Sequence, residues 1–347
     1  FLGEVAVDLA ALCHHPDAGD LVLSGWRFDK PPLSFSMENG SHAGPGSEET
    51  RAFALLPISA PLALEDKDHL RPLDLREAAQ RFLGRASAPA RQRARRESSE
   101  GVLLRVMTYN VHHCRTMDGK LSPARIAKVI SNYNPDIVAL QELDVGRART
   151  QKIDQAHFIA RELEMEFHFS PALYLEEGKY GNAILSRFPM QLVHAGALPT
   201  LAGIPGLEPR GALWAKIEVD GRVVHVFNTH FGLRRKERLL QAEALTSGEW
   251  LGNPDRAGPT IVCGDFNSLP YSTICKKIRR GFRDVQVAMN DHRPQRTFTG
   301  LYPVGRIDHI FISPGIAIRS VEVPRTSLTL RASDHLPLIA DISLPES

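Results

Sequence analysis

Residues 260–267 read TIVCGDFN, a short apolar run that ends in a glycine, an acid and, one residue later, an asparagine. An apolar run of this length with a turn signal behind it predicts a buried β-strand. We therefore predict a strand over 260–264, followed by a loop that carries Asp265 and Asn267. Functional side chains are often held in this way, because a rigid strand positions the loop while the core stays apolar.

Polar residues end or interrupt the other predicted strands in the same manner. Those strands are predicted at 103–109, 136–141, 182–186, 212–219, 222–229, 307–312 and 338–342. Their ends carry Asn110, Glu142, Asn228, Thr229 and His230, while Asp308 lies within one strand and Asp334 and His335 precede the last. Helices are predicted at 122–133, 154–163 and 241–251, the first with Ser122 as its N-cap and Pro123 at its first position. Strands mixed with helices indicate a layered α/β domain, with two packed sheets and helices outside.

The composition is that of an ordinary globular protein, with 43% hydrophobic residues and a formal net charge of +2. A charge so close to neutral argues against a protein that holds nucleic acid by non-specific electrostatics. The four cysteines lack zinc-site spacing, so reduced core thiols are expected. No apolar run reaches the roughly 18 residues of a transmembrane helix. The chain starts at Phe1 and not at Met, which leaves a processed start open, and the cytoplasm is the favoured compartment.

The chain divides into three parts by composition. Residues 1–84 form a segment without a recognisable constellation, residues 85–101 form a linker rich in Arg, Ala and Ser, and residues 102–347 form the layered domain. Within the first part, LVLSGWRFD at 21–29 resembles a strand near the start of phospholipase D-like domains. The HxKxxxxD motif of such domains does not occur, so this resemblance implies at most a non-catalytic remnant.

The polar residues at the strand ends suit the chemistry of a phosphoester. Carboxylate and amide oxygens are the ligands that hard cations such as Mg²⁺ prefer, and Glu142, Asp265, Asp334, Asn110 and Asn267 supply them. A histidine held by a carboxylate can accept a proton from water or donate a hydrogen bond to a phosphoryl oxygen. Neither a Gly-rich phosphate loop nor a GxSxG motif occurs, so the sequence gives no support to a P-loop or serine-hydrolase function.

An ordered set of motifs carries a family resemblance. The set is Thr108-Tyr109-Asn110-Val111-His112, Leu140-Gln141-Glu142, Gly181-Asn182-Ala183-Ile184-Leu185-Ser186, Asn228-Thr229-His230, Gly264-Asp265-Phe266-Asn267, Arg306-Ile307-Asp308-His309-Ile310 and Ser333-Asp334-His335. Over about residues 102–345 the chain resembles the endonuclease/exonuclease/phosphatase superfamily of metal-dependent phosphoesterases. The resemblance implies a four-layered α/β sandwich, in which two packed and mostly antiparallel sheets are flanked by helices.

The resemblance also implies a role for each site residue. Glu142 resembles the principal metal ligand, supported by Asn110 and Asp334. Asp265 resembles the residue that orients or deprotonates the attacking water, and Asn267 one that contacts the phosphate. His335 resembles the histidine beside the scissile phosphate, with Asp308 as the carboxylate that holds it. His230 resembles a second phosphate-facing histidine that Asn182 orients, and Arg210 resembles a residue that neutralises phosphate charge.

One position departs from the pattern of abasic-site endonucleases, which carry an aspartate two residues after the first-strand asparagine. This chain has His112 there. The departure argues against a second metal and fits one Mg²⁺ held mainly by Glu142, with Mn²⁺ as a substitute that a His-containing site could prefer.

The substrate class stays open between nucleic acid, a phospholipid head group and a small phosphate ester, and so does the oligomeric state. Two basic runs, 234–238 and 276–280, follow predicted site loops and either contact phosphates or form solvated helix faces. The predicted activity is hydrolysis of a phosphodiester or phosphomonoester by direct in-line attack of water. The alternative is a catalytically silent binding or scaffold module with the same fold.

Overall fold

The computed structural model describes residues 102–290, 292–299 and 304–345. The expectations for the N-terminal segment and the linker lie outside these residues. The strands are β1 Leu103–Asn110, β2 Ile137–Val145, β3 Glu166–Leu175, β4 Gly178–Ser186, β5 Met190–Ala197, β6 Gly211–Val219, β7 Arg222–His230, β8 Thr260–Asp265, β9 Arg283–Asp284, β10 Asp308–Ile312, β11 Ala317–Glu322 and β12 Leu338–Ser343. The helices are α1 Pro123–Tyr133, α2 Gln155–Leu163, α3 Arg235–Leu245, α4 Thr273–Ile278, α5 Val285–Ala288 and α6 Thr329–Ala332.

These strands form two mixed sheets of six strands each. The first sheet has the order β11-β12-β1-β2-β4-β3 and the second has the order β5-β6-β7-β8-β10-β9. Strands β1 and β2 are parallel, as are β7 and β8, and the other neighbours are antiparallel. Helices cover the outer face of each sheet, so the predicted four-layered α/β sandwich is confirmed.

Strand alternation sorts the core into three layers. Leu104 and Val106 of β1 face the second sheet, where they meet side chains such as Val226 of β7 and Ile261 of β8. Met107, which follows Val106, points to the outer face of the sheet and packs under α1 and α2. The outer face of the second sheet packs in the same way against α3 and α4. Because successive side chains point to opposite faces, each strand contributes to two layers.

Helix α1 begins and ends where its sequence signals predict. The Ser122 hydroxyl accepts a hydrogen bond from the backbone N–H of Arg125 at 3.2 Å, which caps the first turn. Pro123 occupies the first helical position, and Asn134 ends the helix with a left-handed φ of 45°.

The prediction of a helix over 241–251 is wrong in its bounds. Helix α3 begins at Arg235 and ends at Leu245, and residues 246–252 form turns. The first turn of α3 is almost entirely charged, so it shows no apolar periodicity that would mark the start of a helix. Its Glu237 is nevertheless buried, only 1% exposed. Strands β3, β5 and β11 were not predicted, because most of their residues are only partly buried and their sequences do not alternate cleanly.

A buried polar contact joins the two sheets behind the site. The Gln141 amide of β2 donates to Asn228 Oδ1 of β7 at 2.8 Å. The Asn228 amide in turn donates to the carbonyls of Leu140 and Ala183, both at 2.8 Å. All these groups are fully buried, so each hydrogen bond fixes one sheet against the other. Within the described residues, no helix is long and apolar enough to span a membrane.

We expect Asn228→Ala to lower the free energy of unfolding by about 3 kcal/mol, because it removes buried hydrogen bonds that have no solvent to replace them. Urea denaturation followed by circular dichroism measures the change. Glu218→Ala, at an exposed position of β6, serves as the control and should leave the midpoint unchanged. An equal midpoint for Asn228→Ala and the wild-type protein would refute the role of this contact.

Candidate active site

The predicted site residues meet at one end of the space between the sheets. In β1, β7, β8 and β10 the residues that face the opposite sheet are alternate ones, and the site residues continue this series. Asn110 follows Leu104 and Val106, and His230 follows Val224 and Val226. Asp265 and Asp308 are directly paired across β8 and β10, and His230 is the register partner of Asp265 on its other side.

Asn110 links the two carboxylates that come from different sheets. Its side-chain nitrogen donates to Glu142 Oε1 at 2.9 Å and to Asp265 Oδ2 at 3.0 Å. Its side-chain oxygen accepts a hydrogen bond from the backbone N–H of His112 at 3.1 Å. The amide therefore holds two acids close together while its oxygen is already bonded to the backbone.

Glu142 reaches the site through an irregularity in β2. The pairing of β2 with β4 shifts between Leu140 and Leu143, which is the mark of a bulge. Glu142 sits in that bulge with a φ of +62°, a left-handed conformation that non-glycine residues seldom adopt. Regular alternation from Gln141 would turn residue 142 away from the opposite sheet, so the bulge is what lets its carboxylate bond to Asn110.

Asp265 lies at the centre of the cluster. Its Oδ2 is 3.5 Å from His230 Nε2 and 3.7 Å from His335 Nε2, and its Oδ1 accepts the backbone N–H of Asn267 at 2.8 Å. Burial, together with the negative charge of Asp308, raises the pKa of Asp265 to about 7. Burial likewise raises the pKa of Glu142 above its ordinary value, against the opposing effect of the Asn110 hydrogen bond.

The two histidines beside Asp265 carry different charges. Burial alone would lower the pKa of His335, but the carboxylates of Asp308 and Asp265 raise it to about 10. The Asp308 contact is a hydrogen bond of 2.9 Å to His335 Nδ1. Burial and the neighbouring Arg210 guanidinium hold the pKa of His230 well below its usual range. At neutral pH the site therefore combines a cationic and a neutral imidazole.

Two groups of side chains offer ligand atoms to a cation. Asp265, Asp308 and His335 have ligand atoms that all lie within 4.8 Å of one another. Glu142 and Asp334, the acids predicted as metal ligands, lie on the more open side of the cluster, with side chains 18% and 28% exposed. Several buried or half-buried acids without enough counter-charge favour a cation, so the residues fit a divalent metal.

A family assignment agrees with this geometry. The model of the endonuclease/exonuclease/phosphatase family matches residues 107–335, a span that holds every predicted site residue. The chain belongs to this family. Its curated relatives include the uncharacterized protein YbhP of Escherichia coli strain K12, which is 29% identical over 253 residues. That match covers 69% of this chain and 96% of YbhP.

Solved structures of the family have the same fold. An endonuclease/exonuclease/phosphatase from Beutenbergia cavernae is 25% identical, with a TM-score of 0.57, and the match covers 70% of this chain and 72% of that one. The mannosyl-6-phosphatase of Bacteroides thetaiotaomicron is 21% identical, also with a TM-score of 0.57, over 70% of this chain and 100% of its own. At that lower identity the likeness shows the fold alone.

Two predicted members of this family's site have other neighbours than expected. The Asn182 amide donates to the carbonyl of Gly211 at 3.1 Å. The hydrogen-bond partners of the His230 ring nitrogens are Arg210 at 3.0 Å and Asn267 at 3.2 Å. Asn182 therefore fixes the backbone next to Arg210 instead of contacting His230.

Arg210 itself is 7% exposed, and its guanidinium contacts Tyr180 and Glu208 as well as His230. Its Nε has no hydrogen-bond partner among the described residues. Arg210 is thus a buried cation with an unused N–H donor, and it contacts His230, which lies beside Asp265. This position suits the predicted contact with a phosphate.

A left-handed turn beside the site was not foreseen. His112, His113 and Cys114 all have positive φ values, between 46° and 55°. This turn brings His113 Nε2 within 3.4 Å of Glu142 Oε2, while Arg149 contacts the other ring nitrogen at 3.0 Å. Strained backbone of this kind is kept where the surroundings hold it in place, often at functional sites. No sequence signal marks it, because none of these residues is a glycine or asparagine.

A second buried network lies behind the loop of Asn267. His309 Nε2 is 2.9 Å from the carbonyl of Ser268, and His309 Nδ1 is 3.0 Å from Asp284 Oδ2. Arg306 also contacts Asp284, and the Cys275 thiol lies 3.6 Å from His309 Nε2. His309 thereby ties β10 to the loop that carries Asn267.

We expect His309→Phe to lower the free energy of unfolding by about 3 kcal/mol, since Asp284 and the Ser268 carbonyl lose a buried partner. Burial alone would lower the pKa of His309, but the negative charges of the Cys275 thiolate and Asp284 raise it to about 10. A group whose pKa is raised on folding stabilises fully below its unfolded value, about 6.5, and loses this effect as the pH rises towards 10. The difference between wild type and variant should therefore shrink across that interval.

Urea denaturation at about pH 6 and about pH 9 measures this difference on both sides of the interval. His157→Phe, at an exposed position of α2, is the matched control and should change stability little at either pH. A difference for His309→Phe that stays constant between the two pH values would contradict a charged histidine at this position.

Proposed function

We propose that this member of the family is a divalent-metal-dependent phosphoesterase, which hydrolyses a phosphodiester or a phosphomonoester by direct in-line attack of water. The observation that carries the proposal is the surroundings of the Asp265 carboxylate. An amide at 3.0 Å and two imidazole nitrogens at 3.5 and 3.7 Å surround one of its oxygens, so proton acceptor and hydrogen-bond donors converge on one small volume. Hydrolysis of a phosphoester needs both at once.

Asp265 is the residue suited to orient the attacking water and to accept its proton. The backbone N–H of Asn267 fixes one of its oxygens, and Asn110 fixes the other. The carboxylate therefore cannot rotate away, and it presents a single direction to a bound water. Such fixed geometry is a large part of what an enzyme contributes to rate.

The positive charge for the phosphoryl oxygens comes from side chains that lie around Asp265. His335 is held in one orientation by Asp308 and is cationic, so it can donate from Nε2 to a non-bridging oxygen. Arg210 and Asn267, which flank the neutral His230, add further donors. Together they favour the charge that develops on phosphorus oxygens as the bond to the leaving group breaks.

A bound divalent cation would polarise a phosphoryl oxygen and stabilise the leaving oxygen. In the proposed arrangement Glu142 is its principal ligand, with Asp334 nearby and Asn110 orienting the Glu142 carboxylate. Mg²⁺ suits a set of this kind, and Mn²⁺ is the natural substitute because it accepts oxygen ligands and also tolerates imidazole.

We expect Asp265→Asn, His335→Gln and Glu142→Gln each to lower turnover by about a hundredfold or more, because each removes a group that acts on the reacting atoms. Hydrolysis of bis-p-nitrophenyl phosphate and of p-nitrophenyl phosphate, with Mg²⁺, Mn²⁺ or EDTA, measures this. Glu176→Gln, an exposed acid beyond the end of β3, is the control. Turnover that survives all three substitutions in a folded protein would overturn the assignment of the site.

We expect Mg²⁺ or Mn²⁺ to raise the thermal midpoint of the wild-type protein. At a metal concentration of a hundred times the dissociation constant, the free energy of unfolding rises by about 2.7 kcal/mol. Glu142→Gln should lose most of this shift. Asp308→Asn tests the other group of ligand atoms, formed by Asp265, Asp308 and His335. A shift lost only in Asp308→Asn would move the metal to that group, and a shift retained in both variants would argue against a metal at the site.

A further inference from the structure

Two loops at the edge of the site expose large apolar side chains. Leu233 is 72% exposed, Leu269 58% and Tyr271 74%. We call these three residues the apolar rim. Apolar side chains of this size are usually buried, and an exposed group of them beside a site marks a binding surface.

The apolar rim borders the site because its loops continue from site residues. Leu233 comes three residues after His230, and Leu269 comes two residues after Asn267. Strands β7 and β8 are parallel neighbours, so their loops leave the sheet at the same edge. An ion pair of 3.6 Å between Lys277 and Glu243 joins the helices that follow, α4 and α3.

The backbone of both loops is fixed although their apolar side chains are exposed. The N–H of Gly232 donates to the buried Gln241 side chain at 2.8 Å, and Arg238 donates to the carbonyl of Leu233. The carbonyl of Leu269 accepts the N–H of Ser272 at 2.9 Å. These loops thus present their apolar side chains in a defined arrangement, which lowers the entropic cost of inserting them into a partner.

The charge around the apolar rim is positive. Arg234, Arg235 and Lys236 follow Leu233 directly and are all exposed. Glu237, the first acid after them, is buried and cannot offset them at the surface. Residues 268–280, which contain Leu269 and Tyr271, include no acid and four basic residues, of which Lys277 is paired with Glu243 of α3. Apolar side chains with basic residues beside them are the combination that binds the surface of an anionic bilayer.

We propose that the apolar rim docks this protein on an anionic lipid bilayer, and that the phosphoester hydrolysed at the site is one held at the bilayer surface. The second part rests on the proposed phosphoesterase function. Docking by Leu233, Leu269 and Tyr271 turns the site edge towards the plane of the head groups. A phosphoester in that plane then reaches the site at the carboxyl ends of β7 and β8 without leaving the bilayer.

A nucleic acid fits the same surface less well. Proteins that hold single strands stack bases on aromatic rings, and each base needs a π face. Leu233 and Leu269 are aliphatic and offer none, so only Tyr271 of the rim could stack. Aliphatic insertion into the acyl region uses all three side chains, in contrast, and the neighbouring basic residues reach the lipid phosphates.

Vesicle flotation of the full chain tests the docking surface without relying on turnover. The vesicles contain phosphatidylcholine alone or mixed with phosphatidylglycerol, and a Glu142→Gln background keeps the lipid intact. The test variant combines Leu233→Ser, Leu269→Ser and Tyr271→Ser. The matched control combines Leu192→Ser and Val223→Ser, which are 41% and 46% exposed. Both residues lie towards the ends of β5 and β7 that are remote from the apolar rim.

We expect the parent and the control to float with the anionic vesicles, and the rim variant to bind them about a hundredfold more weakly with an unchanged thermal midpoint. A parent that does not float, or a rim variant that floats equally well, would overturn the proposal. Loss of single-stranded DNA binding in the rim variant, with vesicle binding unchanged, would overturn it in favour of nucleic acid.

Failure of docking and failure of the enzymatic function give different results. A wild-type protein that floats but hydrolyses no phosphoester retains the docking surface and loses the proposed chemistry. A wild-type protein that hydrolyses soluble esters but never floats retains the chemistry and loses the docking surface. Faster hydrolysis of a phospholipid in vesicles than of the same head group free in solution supports both parts of the proposal.

Discussion

The alternation of side chains along the central strands is the constraint on which this molecule depends. In β1, β7, β8 and β10 one set of alternate residues fills the space between the sheets, and the member at the site end of each set is polar. Apolar packing and chemistry therefore use the same geometric series. Asn110, His230, Asp265 and Asp308 need no separate device to bring them together, because packing the two sheets does so.

Burial at the end of this series sets the electrostatics. Acids from both sheets share a space with little solvent, so their charges must be matched by hydrogen bonds and by the histidines. Asn110 is central to this, since it donates to a carboxylate of each sheet with one amide group. Held in this way the acids are both close and oriented, which is the preorganisation that catalysis on a charged substrate requires.

The sequence predicted much of this site because its residues fall at the ends of clear apolar runs. Asp265 at the end of β8 and His230 at the end of β7 are examples in which the apolar run itself points to the candidate site residue. What could not be predicted depends on contacts across the fold. The first turn of α3 lacks apolar periodicity, and its placement depends on the buried Glu237, which no local pattern reveals.

The same limit applies to the residues around the site that were missed. His113 reaches Glu142 through a left-handed turn, and His309 of β10 reaches Ser268 in the loop that follows the neighbouring strand β8. Neither relation has a fixed spacing in sequence. Glu142 was predicted from its motif, yet the reason that it faces the site is a bulge in β2, which is visible only in the pairing of β2 with β4.

The shared series of core and site also restricts how this fold can vary. Deleting one residue within β8 would turn Asp265 to the helix-covered face. Side chains of β8 that now pack under the helices would then point into the space between the sheets. Core and site would fail together, so such a deletion cannot yield a stable protein that has lost only its chemistry. Length changes are tolerated in the connections beyond the strands, such as the one that bears Leu269. Divergence in what these proteins act on is therefore channelled into loop length and loop composition, while the reacting groups keep their places.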